Sequence, residues 1–148
     1  MKRLAGVVLV AALACAGLGL VAAAAAGCGA QADVLARSRG ALAGALVATD
    51  QARQAFDAWD TRHQHEIVLK ATSLESGQAA LVAWRSRRQP VLEAFIAAYL
   101  AIGGAATALL VAEQAKSVSA DLIARLKAVA DTYVRLTRAV RAVGGGGS

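Results

Sequence analysis

His63 and His65 are the only histidines in the chain, and so the first residues to weigh as metal ligands. Two positions apart on a helix, they point to different faces and cannot hold one ion as an i,i+4 pair does. His63 falls on an apolar stripe and reads as a core-edge residue. Asp57 and Asp60, three apart, share a helix face, and paired carboxylates can trade protons with a substrate. Arg53 and Arg62 lie one turn from them, which predicts a solvated salt-bridge face instead. No serine stands in a nucleophile elbow, and no glycine loop has the spacing of a phosphate cradle. Gly40-x-x-x-Gly44 reads as close helix packing. Arg85-Ser86-Arg87-Arg88 is the one dense cationic run. Arg85, Arg87 and Arg88 are therefore expected to form a basic surface patch, either a solvated rim or a contact for lipopolysaccharide, cell wall or anionic lipid. Aromatics do not interleave with these arginines on one face, so nucleic acid is not an expected partner. The expectation is a protein without catalysis, cofactor or metal.

Sulfur offers a different chemistry. Both cysteines, Cys15 and Cys28, lie near the N-terminus. Met1-Lys2-Arg3 carries two positive charges, and Leu4 to Gly27 contains no charged residue. A charged start, an apolar run and small residues before a cut site make a secretory signal. Its cations stay on the cytoplasmic side while the apolar run enters the membrane. The rival is a retained anchor helix, since the run is long enough to span. The run ends in Ala25-Ala26-Gly27-Cys28, which resembles the lipobox of bacterial lipoproteins. Ala25 stands where that family usually has leucine. The resemblance implies that the signal, 1–27, is cut after Gly27. Cys28 then receives a diacylglycerol on its thiol, and the new N-terminus is acylated. Gly29, rather than aspartate, after the cysteine implies sorting to the periplasmic face of the outer membrane in a Gram-negative host. Cys15, after Leu13-Ala14, is a second candidate with a shorter apolar run. Cleavage before Cys28 leaves one cysteine and no internal disulfide. The net charge falls from +6 to +4 once Lys2 and Arg3 are lost.

The elements behind these residues follow from composition. The chain has 148 residues, enough for one domain, and 57% of them are hydrophobic. With 39 alanines and one proline it suits neither a sandwich nor a barrel, and its apolar content argues against disorder. The expected fold class is all-α: an elongated antiparallel helical hairpin plus a third helix, a three-helix bundle following the signal. The first helix, 31–71, has the stripe Leu35, Leu42, Leu46, Thr49, Ala52, Phe56, Trp59, His63, Ile67. Thr72-Ser73-Leu74-Glu75 reads as a capping box. The second helix, 73–114, has the stripe Leu81, Trp84, Arg88, Val91, Phe95, Tyr99, Ile102, Ala106, Leu109, and Pro90 should kink or divide it. The third, 118–143, carries Leu122, Leu126, Val129, Tyr133, Leu136, Val140 and Val143, a heptad seam. Phe56, Trp59, Trp84, Phe95, Tyr99 and Tyr133 are the expected core aromatics. Residues 144–148 are a glycine tail or linker.

Folding the hairpin near residue 73 sets Phe56 and Trp59 against Trp84 and Arg88, and Gly40 and Gly44 against Ile102, Gly103 and Ala106. Residues 94–112 contain no charge, close to the ~20 needed to cross a bilayer. A buried bundle helix is the favoured reading, with a membrane span as the rival. The expected role is a lipid-anchored envelope protein, structural or interactive, held to membrane lipid through Cys28 and free to meet an envelope partner or itself. The pattern also resembles small alanine-rich helical lipoproteins of bacterial and tailed-phage genomes. The alternative is a phage lysis protein, spanin-like, or a superinfection-exclusion lipoprotein; a one-chain spanin has its span at the C-terminus, whereas this run is internal.

Overall fold

The computed structural model describes residues 31–144. The expected signal 1–27, Cys15, Cys28 and the tail residues 145–148 lie outside the described residues. Three helices follow in order: α1 (Gln31–Lys70), α2 (Leu74–Gln114) and α3 (Ala120–Gly144). The fold is an all-helical three-helix bundle, with no strand among the described residues.

Short connections force the antiparallel order. Between α1 and α2 only three residues are non-helical. Ser73 caps α2 in extended conformation (φ −150°, ψ 162°), its Oγ accepting from the Ser76 amide at 3.1 Å. The Ser73 amide donates back to Ser76 Oγ at 3.1 Å, closing the box. The box therefore lies one residue beyond the expected Thr72–Glu75 pair. Ser76 can supply the N3 oxygen, and Glu75 instead adds a carboxylate to the first turn, where the helix dipole favours it. Ser119 Oγ accepts from the Leu122 amide at 3.1 Å, so α3 starts two residues later than the sequence suggests.

The α2–α3 turn contains a conformational cost. Lys116 has φ 49°, the left-handed region. Beside it the Ser117 amide donates to the Ala112 carbonyl at 3.0 Å, the wide loop of a Schellman-type end. Glycine is the usual residue there, because a Cβ is penalised. Lys116→Gly is expected to raise stability by roughly 0.5–1 kcal/mol, seen as a higher urea midpoint at unchanged slope.

α2 lies between the other two helices, packing against both, whereas α1 and α3 nowhere bring Cα atoms within 8 Å. Its buried row, Trp84, Val91, Phe95, Ala98, Ile102, Ala105, Leu109 and Ala112, follows the heptad. On α1 the buried row is Leu35, Ser38, Leu42, Ala45, Thr49, Ala52, Phe56 and Asp60. Two expected stripe residues, Leu46 and Tyr99, are displaced by smaller neighbours, and Ala106 by a neighbour of its own size. Ala45 is buried and Leu46 is exposed; Ala98 and Ala105 are fully buried, while Tyr99 and Ala106 sit half-buried at the rim. Alanine lets helix axes close, and a leucine or tyrosine at those sites would hold them apart. Gly40 and Gly44 are also not at the seam. Both are exposed, and a Cβ on either would meet nothing within 4 Å. Ser38, Leu42 and Ala45 make the approach instead. Ser38 and Thr49 can be buried because each hydroxyl donates to the carbonyl four residues back, at 2.8 Å. On α3 the expected seam is buried from Leu122 to Val140, with Val143 half-buried.

α2 is one unbroken helix through Pro90, which does not divide it. Pro90 and Ser86, whose carbonyl loses its amide partner, are both exposed, so water can satisfy that carbonyl. At 1.5 Å per residue α1 and α2 are each about 60 Å long and α3 about 38 Å. The bundle is therefore an elongated rod, with α1 and α2 running on beyond the end of α3.

Candidate functional site

Where α1 and α2 approach the end of α3, a polar group sits among aromatic rings. Asp60, one turn beyond Phe56, is buried on the α1 seam. Its Oδ1 accepts from Trp84 Nε1 at 2.7 Å, and its Oδ2 is ion-paired with the Arg88 guanidinium. The side chains are 7% and 27% exposed. Trp59 packs edge-on to Trp84 with centroids 5.2 Å apart, and His63 stacks on Trp59 at 5.5 Å and leans on Trp84 at 4.2 Å. Phe56 links this group to Phe95 at 5.9 Å. The rings of Phe56, Trp59, Trp84 and Phe95 form a continuous chain of contacts along this part of the α1–α2 seam.

This placement corrects two expectations. Asp60 does not belong to a solvated acidic face; only Asp57 does, paired with Arg53 at 2.9 Å. Arg88 turns inward, so the exposed basic patch reduces to Arg85 and Arg87. A cation on the α2 stripe needs a carboxylate facing it in the apolar interior. That need was the sequence signal for the pair. The core aromatics divide as well: Phe56, Trp84, Phe95 and Tyr133 are buried, whereas Trp59 and Tyr99 are half-buried rim residues. His63 sits half-buried at the core edge, as its stripe position implies, and His65 is exposed.

Two tyrosines join α1 to the other helices. Tyr133 of α3 donates to the Ala45 carbonyl at 2.5 Å and lies 2.5 Å from Thr49 Oγ1, crossing the gap between α1 and α3. Burial raises its pKa above 10.0. Tyr99 of α2 donates to Asp50 Oδ1 at 2.6 Å. Burial first, and then the hydrogen bond and charge of Asp50, push Tyr99 from 10.0 up to about 12. The neutral phenol is the form the fold favours. Its contribution to stability is whole below pH 10.0 and is lost as pH rises towards about 12. Phenolate absorbance should place the Tyr99 transition near the top of that window, and Asp50→Asn should draw it back towards 10.0.

Among the described residues, every buried side-chain polar atom has a partner, and no three of His, Cys, Asp and Glu gather to hold a metal. A shallow open groove of about 310 Å³ at the start of α1 is lined by Ala32, Leu35, Ala36, Arg39, Glu113 and Lys116. Arg39 and Glu113 close on each other across it at 2.7 Å. Asp60–Arg88 and Arg39–Glu113 are ion pairs between α1 and α2, so these charges help to hold the helices together.

The most unusual surface is apolar. α2 is long and apolar enough to cross a membrane, and only 33% of its most hydrophobic window is buried by the bundle. Ile96, Leu100, Leu110 and Val111 stand exposed along it. Comparison with protein-family models, with curated proteins and with solved structures finds no match to this chain.

Proposed function

We propose that this chain is an exported, lipid-anchored protein of the cell envelope, with a structural or protein-interaction role and no catalysis of its own. The uncovered apolar face of α2 carries the interaction half of this reading. Every buried polar side-chain atom among the described residues is paired within the bundle, and the exposed apolar face of α2 is a surface suited to meeting another molecule. The anchor half rests on the uncharged run from Leu4 that ends in Ala25-Ala26-Gly27-Cys28. Acyl chains at ~0.8 kcal/mol per buried CH₂ would hold the rod at a membrane. Metabolic labelling with palmitate is the test. The protein should carry label and Cys28→Ser should not; an unlabelled parent protein removes the anchor.

A second reading has one observation in its favour, the membrane-length apolar window of α2. In it the chain is a phage-encoded lysis or superinfection-exclusion lipoprotein, with residues 94–112 in the bilayer. Alkaline carbonate extraction of a chain beginning after Cys28 separates the two. Release into the soluble fraction rejects the span, and retention in the pellet supports it.

A further inference from the structure

α2 carries two apolar rows, one buried and one facing outwards. The outward row is Ile96, Leu100, Gly103, Thr107 and Leu110, at steps of four, three, four and three, with Val111 beside Leu110. Ile96, Leu100, Leu110 and Val111 are 57%, 71%, 61% and 60% exposed. The row is nearly symmetric about its glycine. Ile96 and Leu110 lie seven residues to either side of Gly103, and Leu100 and Thr107 lie three and four. A Cβ on Gly103 would meet nothing within 4 Å, so the centre of the row is a gap between bulky ends.

We infer that this row is the contact with a second copy of the chain, two α2 helices crossing antiparallel at Gly103 about a two-fold axis. The inference rests on the interaction reading above and supplies its partner. A two-fold contact requires a surface complementary to itself. Reversing this row sets Ile96 against Leu110 of the partner subunit, and brings the two glycines together where the backbones must pass. Eight large side chains, four from each copy, contribute roughly 100 Å² apiece. With the small residues between them the contact reaches about the 1,000 Å² that a specific interface needs.

Charge favours a protein over a lipid occupant. The row itself has none between Glu93 and Glu113. Its neighbours do: Asp50 bonds Tyr99, Arg53 lies 5.6 Å over the Phe95 ring, and the Arg125 guanidinium sits beside Gly104. A bilayer around α2 would take in all three, whereas a second bundle leaves them at a wet rim. Arg125 is in addition neutralised by Asp121 at 3.0 Å.

The test uses the full chain carrying Cys15→Ser and Cys28→Ser, with one cysteine added at a time and mild oxidation. Ile96→Cys protein mixed with a size-tagged Leu110→Cys protein should give the mixed disulfide in ~10-fold excess over either same-site disulfide, as aligned thiols react far faster than colliding ones. Gly103→Cys should link to itself, Ser76→Cys at the distant hairpin end should not, and Leu100→Arg should abolish the mixed product. Equal yields from Ile96→Cys alone overturn the antiparallel register. Failure of both the mixture and Gly103→Cys overturns the contact, and if vesicles then shield Leu100→Cys from an aqueous maleimide, lipid is the occupant. Absence of the mixed disulfide alongside palmitate labelling of the parent chain removes the two-copy contact alone; the mixed disulfide alongside an unlabelled parent chain removes only the anchor.

Discussion

Phe95→Ala should lower the unfolding free energy by about 3–5 kcal/mol, the largest loss expected from any single truncation in the bundle. The ring is fully buried and meets Phe56 across the α1–α2 seam at a 49° tilt. It also supports the Arg53 guanidinium on its face. Removing it takes away the transfer energy of a whole aromatic group and leaves a cavity between two long helices. The fully buried Ala98 and Ala105 in the turns that follow pack the seam closely, which limits how far the site can collapse. Phe95→Leu keeps most of the volume and should lose less than about 1.5–2 kcal/mol. Urea titration followed by far-ultraviolet circular dichroism checks both. An alanine variant within 1 kcal/mol of the parent, on the ~1 kcal/mol scale of ordinary substitutions, would remove Phe95 from the core.

The second large effect belongs to Asp60. Asp60→Ala should destabilise by about 3 kcal/mol, because it strands the Arg88 charge and the Trp84 N–H together. Arg88 retains some access to water, which places the value at the lower end for a broken buried pair. Asp60→Asn keeps both oxygen and size and should lose about 1–2 kcal/mol. The double change Asp60→Leu with Arg88→Met should recover most of the loss, since two apolar groups replace two charges in the same space. A double variant as unstable as Asp60→Ala would mean that the charges are worth more than their desolvation. Tryptophan fluorescence gives a local readout, since Trp84 and Trp59 are the only tryptophans in the chain.

How much of this was legible in the residues depends on how many faces each helix buries. α3 packs on one side only, so its single stripe gives the seam directly, from Leu122 to Val140. α2 packs on two sides and is apolar on a third, so no single stripe describes it. Around it the sequence offers competing candidates at adjacent positions, a small and a large one at Ala98 and Tyr99 and two of equal size at Ala105 and Ala106. Hydrophobicity favours the larger residue, whereas close axes favour the smaller. The same choice on α1 put Leu46 outside and Ala45 inside. Gly40 and Gly44 misled for a related reason: small residues permit contact but do not demand it. The Asp60–Arg88 pair was half visible. Arg88 lies on the apolar stripe and the hairpin register brings it opposite Phe56 and Trp59, but the spacing of Asp60 from Asp57 points to an acidic face. Ion pairing at i,i+4 is local and readable, as at Arg53–Asp57, whereas a pair 28 residues apart exists only once the hairpin has closed.

The brevity of α3 divides the molecule into unequal zones. From residue 61 to residue 83 Gly77 is the one buried residue, so the far end of the hairpin has far less buried core than the rest of the bundle. Its amides can reach solvent by local opening, while those around Phe95 and Leu126 wait for the whole bundle to come apart. Damage, insertion or proteolytic nicking near Ser73 should therefore be survivable in a way that a cut near Gly104 is not.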